Sequence, residues 1–112
     1  MLINANNLSD LSKLIYLIHD KFFDLDQVQF DCKKNELKLF LGTNSKGPFD
    51  RQLVVKDVVD YHVHDSERIG IYGMNIISIK ESKRIIYIKA EPFLKIVIDV
   101  GQNYEIIADE IS

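Results

Sequence analysis

The run LKIVIDVGQNYEIIADEI, residues 94–111, carries two stretches rich in β-branched residues on either side of Gly101-Gln102-Asn103. β-Branched side chains pack well on a pleated surface, and Gly-Gln-Asn is turn chemistry, so the segment reads as two antiparallel strands joined by a tight turn. The same pattern stands just upstream. NIISIK (75–80) and RIIYIKA (84–90) flank ESKR as another hairpin. Pro92 is expected to end that hairpin's second strand or lie at an edge, because proline cannot donate to a ladder.

Further towards the N-terminus the alternation continues. In IYGMN (71–75), Tyr72 and Met74 sit in a glycine-broken strand, a pattern that implies a bulge or a close backbone approach. VVDYHV (58–63) reads as a strand with Val59, Tyr61 and Val63 towards the core, and Val58, Asp60, His62 and His64 on the other face. GTNSKGPFDR (42–51) breaks the period and reads as an exposed loop. Before it, Leu37, Leu39 and Leu41 alternate with Glu36, Lys38 and Phe40, while Val28, Phe30 and Cys32 alternate with Gln27, Gln29 and Asp31. These runs form a hairpin around KKNE, with Cys32 a buried, inert thiol.

Residues 8–21 alone have helical periodicity. Leu8, Leu11, Leu14, Ile15 and Ile18 make one apolar stripe that Phe22 extends, Asn7 can cap its start, and Asp10 and Lys21 suit the two ends of the helix dipole. With no second helix to carry parallel crossovers, residues 1–112 are expected to form a single α+β domain. Its N-terminal helix packs on a curved antiparallel β-meander of about six or seven strands, an incomplete barrel-like sheet.

Composition narrows the function. At 46 % hydrophobic and 28 % charged residues the chain is globular, and its net charge of −3 weighs against nucleic acid, whose binders need a basic stripe. No window approaches the roughly 18 apolar residues that cross a bilayer, and MLINANNLSDLSKL lacks the plan of a secretory signal. The lone Cys32 excludes an intrachain disulfide and any C-x-x-C motif. A soluble, cytoplasmic protein is the expectation.

The most chemistry-like segment is YHVHDSERIG (61–70). His62 and His64, two apart on a strand, project side by side and could hold zinc with Asp65 or Glu67, or with distant His19, as a further ligand. An unsupported H-x-H is a weak signal, and the alternation of Asp60, His62 and His64 against Val59, Tyr61 and Val63 fits a half-exposed strand better. No G-x-S-x-G elbow, P-loop or dinucleotide fingerprint is present, and no cofactor is implied.

Acidic residues concentrate at Asp20, Asp24, Asp26 and Asp31, and again after Lys95 at Asp99, Glu105, Asp109 and Glu110. Lysines and arginines collect in CKKNELK and KESKR. The pattern favours a non-catalytic binding protein that presents an acidic, strand-rich face to a macromolecule, as an immunity protein or antitoxin does to a basic toxin. Candidate contacts are Asp24, Asp26, Asp31, Asp60, Tyr61, His62, His64, Asp65, Glu67 and Tyr72, the tyrosines as aromatic anchors. The competing reading is a small-ligand or metal-binding domain, or a modest enzyme, built on His62 and His64. A sheet edge, the last strand first, also offers a route to homo-oligomers.

Overall fold

The computed structural model describes residues 3–5, 8–65, 68, 70–80 and 83–110; for 3–5, 8–11, 17, 76 and 110 it describes the backbone alone. Among the described residues one α-helix, α1 (Leu8–Ile18), accompanies eight strands: β1 (Ile3–Ala5), β2 (Phe22–Asp24), β3 (Gln29–Asp31), β4 (Glu36–Leu41), β5 (Arg51–Asp65), β6 (Ile71–Lys80), β7 (Ile85–Glu91) and β8 (Leu94–Glu110). A 3-10 turn, Leu25–Gln27, separates β2 from β3. The architecture is a curled antiparallel sheet with one small helix, α+β with the helix minor.

The meander expectation holds only within each half. The strand order is β2-β6-β7-β8-β5-β4-β3, with β1 beside β8, and every pairing is antiparallel. Two three-strand meanders, β3-β4-β5 and β6-β7-β8, are therefore joined through β5 and β8, and not through the sequence neighbours β5 and β6. Residues 94–110 do not form the expected hairpin. Both halves of β8 pair with β5, Leu94–Val100 against Asp65–Val58 and Glu105–Glu110 against Lys56–Arg51.

The turn-like Gly-Gln-Asn is instead an excursion within one strand, opposite Asp57. There Asp57 adopts φ 61°, and its Oδ2 accepts the Asn103 backbone N–H at 2.9 Å. A tight turn would have left β5 with half its length unpaired; the long partner strand decides against it. Among the described residues the last strand is therefore flanked by strands on both sides over Leu94–Asp99, by β7 and β5, and over Ile106–Ala108, by β1 and β5, and is not the terminal strand of the sheet.

The sheet curls until its ends meet. Phe22 N–H donates to the Gly42 carbonyl at 2.7 Å, and Gly42 N–H returns a bond to the Phe22 carbonyl at 2.9 Å. A Cβ at Gly42 would press on the Pro48 carbonyl, 3.2 Å from its carbon, so a side chain is excluded at this closure. Inside lie the alternating apolar residues that the sequence pattern marks: Leu37, Leu39 and Leu41 of β4, Ile86 and Ile88 of β7, and Ile96 and Ile98 of β8, all buried with Leu14 and Ile18 of the helix.

The helix ends at Ile18, three residues before the expected stop. Asp20 takes a left-handed φ of 61°, its N–H donates to the Met74 carbonyl at 2.9 Å, and Met74 N–H donates to the Lys21 carbonyl at 2.6 Å. Strand β6 thus captures the chain before another helical turn can form, and Phe22 belongs to β2. The capping expectation for Asn7 lies outside the described residues, as do the side chains of Leu8, Asp10 and Leu11.

Three finer expectations fare differently. β7 stops at Glu91, immediately before Pro92, as proline's missing donor requires. The glycine-broken strand β6 does carry a register shift, between Met74 and Ile76. Cys32, expected to be buried, is exposed. Asp31 Oδ1 accepts the N–H groups of Lys33 and Lys34 at 2.9 and 3.2 Å, which starts the turn at once and carries Cys32 out of the strand.

Candidate partner-binding surface

Strand β5 outruns its neighbour. Its pairing with β4 covers Arg51 to Val55 only, and the bond from Val58 N–H to the Asn35 carbonyl at 2.9 Å is, among the described residues, the last backbone hydrogen bond between β5 and that hairpin. From Val59 to Asp65 the strand has β8 on one side, and among the described residues no strand on the other. Register shifts around Asp57 and Val59 reverse the faces expected there: Val58 is buried, and Val59 is 72 % exposed. A bulge places an extra residue on one strand, which period-two reading cannot anticipate.

Beyond the bulge the alternation is as read. Directly paired residues share a face, so Tyr61, Val63 and Asp65 lie with Ile98, Ile96 and Leu94 on the concave side, and Asp60, His62 and His64 with Asp99, Val97 and Lys95 on the convex side. Val63 is still 38 % exposed because the strand overhangs the core. Tyr61 is half-buried and stacks on Phe30 of β3, their ring centroids 5.2 Å apart and tilted by 43°. Phe30 is 36 % exposed. Sequence alternation places Phe30 in the core; the contrary signal is the brevity of its strand, three residues hemmed by a turn on either side.

The acidic segment lies against the same end. Leu25 N–H donates to the Gly70 carbonyl at 2.8 Å, which holds the 3-10 turn, with Asp24 at its cap and Asp26 within it, beside Gly70 immediately before β6. Asp24 Oδ1 accepts the Asp26 N–H at 2.9 Å. None of Asp24, Asp26 and Asp31 is ion-paired with a described residue. Of the three only Asp31 borders a concavity of about 320 Å³, lined also by Gln29, Phe30, Cys32, Lys33 and Lys38.

The candidate metal ligands are not brought together. His62 Nε2 is 3.2 Å from Asp60 Oδ2, both more than half exposed, whereas Asp65 points to the opposite face. There its Oδ1 accepts the Arg68 N–H at 2.9 Å and the Tyr72 hydroxyl. Beside His64 the convex face carries Lys95 and, on the next strand, Lys89, which repel a cation. Lys95 Nζ rests 5.1 Å from the Tyr87 ring centre. Among the described residues no group of three or more His, Cys, Asp or Glu side chains is placed to hold a metal. His19 follows α1, its Nδ1 3.3 Å from Asp20 Oδ2.

Tyr72 must be struck from the candidate contacts. It is fully buried, packed 6.1 Å from the Phe23 ring, and it ties β6 to the end of β5 across the concave side. Glu67 lies outside the described residues. The convex face near the histidines is mixed in charge, with Asp60 beside His62 and Lys95 beside His64, whereas the exposed Phe30 has Asp31 next to it and Lys33 and Lys38 in the same concavity. No helix among the described residues is long and apolar enough to cross a membrane. Comparison with protein-family models, curated proteins and solved structures finds no match for this chain.

Proposed function

We propose that this chain is a small, non-catalytic, cytoplasmic binding protein that docks a basic protein, in the manner of an immunity protein or antitoxin. The observation that carries the reading is the Phe30–Tyr61 pair, partly exposed at the overhanging end of β5, with Asp31 next to Phe30 and Asp24 and Asp26 at the turn just before β3. None of the three carboxylates is ion-paired with a described residue, although Lys33 and Lys38 also line the concavity at Phe30. Rigid aromatic anchors give up little conformational entropy on binding, and a carboxylate rim steers a basic partner and selects against an acidic one. A reducing compartment agrees with one exposed, unpaired cysteine.

Co-expression with the products of neighbouring reading frames tests the reading. The expected result is a stoichiometric complex with a basic protein whose affinity falls with added salt, and falls by about tenfold or more in the Asp24→Asn, Asp26→Asn, Asp31→Asn triple variant. A complex indifferent to both, or a catalytic activity abolished by His62→Ala, overturns it.

A further inference from the structure

We infer that the partner adds an extended strand to the edge of β5 between Val59 and Asp65, which no described strand covers. The inference rests on the binding reading and specifies the partner segment: alternating apolar and basic side chains.

The backbone supplies the first argument. In an antiparallel pair, alternate residues turn their N–H and C=O groups towards the neighbour and away from it. The Tyr61 N–H is taken by Asp60 Oδ1 at 2.9 Å. It therefore points away from β8, and Val63 and Asp65, two and four residues on, present their backbone groups to the same open side. Such a row of groups is a template for another strand, and proteins commonly mask one with proline, lysine or a covering element. Residues 59–65 contain neither proline nor lysine. A single side chain, that of Asp60, masks one amide.

The side chains supply the second. An added strand would set alternate residues on the concave side, against Tyr61, Val63 and Phe30, whose exposed apolar area it would cover. Charge selects the rest of the segment. Asp60 and Asp65 stand at the two ends of the edge, and Asp24 and Asp26 lie at the turn bonded to Gly70 of the connection that follows it. No lysine or arginine lies on the edge itself; bases flank it at Lys33 and Lys34, in the turn whose Asn35 carbonyl takes the Val58 N–H, and at Arg68, whose backbone N–H donates to Asp65. Lys89 and Lys95 of the convex face lie beyond His64, on the β8 side of the strand. A basic, apolar-alternating segment fits this surface, and an acidic one does not.

The probe is an eight-residue peptide of alternating lysine and valine, titrated into the intact protein. Its controls are the same peptide N-methylated at every second amide and a glutamate–valine version. Strand addition predicts slowed hydrogen exchange at the Val63 amide. It also predicts about tenfold weaker binding after methylation, the effect of losing one or two net hydrogen bonds, and no binding of the acidic peptide. Val63→Pro, which removes an outward amide without touching the β8 ladder, should have the same effect as methylation.

If the methylated peptide binds as well as its parent, strand addition is refuted while recognition of basic partners stands. If the basic peptide fails to bind, strand addition is likewise refuted, and the co-expressed complex then decides the broader reading separately.

Discussion

Replacing Gly101 by alanine should destabilise the protein in a way that depends entirely on Asp57. A Cβ at Gly101 would lie 2.8 Å from the Asp57 Cγ and 3.0 Å from its Oδ1, closer than van der Waals contact allows. The carboxylate must then move, and moving it breaks the bond from Asn103 N–H that anchors the excursion in β8. Bonds to charged acceptors contribute about 1.5 to 3 kcal/mol, and Asp57 is half-exposed, so a cost of about 1 to 2 kcal/mol is expected for Gly101→Ala. Asp57→Gly loses the same bond but relieves a left-handed φ of 61° in a residue with a Cβ, leaving a net cost of about 1 kcal/mol or less.

In the Asp57→Gly background the clash is gone. There Gly101→Ala acts only on the unfolded chain and should stabilise by about 0.4 to 1 kcal/mol. The sign of the alanine's effect therefore reverses between the two backgrounds. Urea unfolding followed by far-ultraviolet circular dichroism reads both, with equal m-values as the check that the surface exposed on unfolding is the same in each variant. An equal cost in both backgrounds, or none in either, would refute the account of β8 as one strand bent around Asp57.

Other outcomes follow from the same geometry. Tyr72→Phe, which removes the donor to the Asp65 carboxylate without changing ring packing, should cost about 1.5 to 3 kcal/mol in chemical denaturation; a cost under about 0.5 kcal/mol would mean the bond does not hold the end of β5. Phe30→Ala should separate binding from folding: about 1.5 kcal/mol or less of stability, since the ring is already partly in water, but at least tenfold in affinity for a basic partner. Elemental analysis of untagged protein should find no stoichiometric zinc, and His62→Ala should shift stability by about 0.5 kcal/mol or less; bound zinc lost in that variant would restore the metal reading.

Alternation was a reliable guide along β4, β7 and the first half of β8. Leu37, Leu39 and Leu41 lie buried as their spacing demands, and so do Ile86, Ile88, Ile96 and Ile98. It failed at Val58 and Val59, where a bulge inverts the faces, and at Phe30 and Cys32, where a three-residue edge strand gives way to a turn. The candidate surface was legible in part. The acidic run and Tyr61 stand out in the sequence, whereas the exposure of Phe30 and the burial of Tyr72 depend on which strands overhang and which are enclosed.

Local pattern alone determined the antiparallel, single-helix character of this chain, because side-chain period is a property of each segment and no second helical segment exists to permit parallel crossovers. Strand order, and with it the open edge at Val59–Asp65, was decided only in three dimensions. Gly101-Gln102-Asn103 has the composition of a hairpin turn, and as an isolated segment nothing in it resists one. Only the presence of β5, long enough to pair with both flanking runs at once, makes the straight course the lower in free energy, since the hairpin would trade a full ladder of backbone hydrogen bonds for half of one.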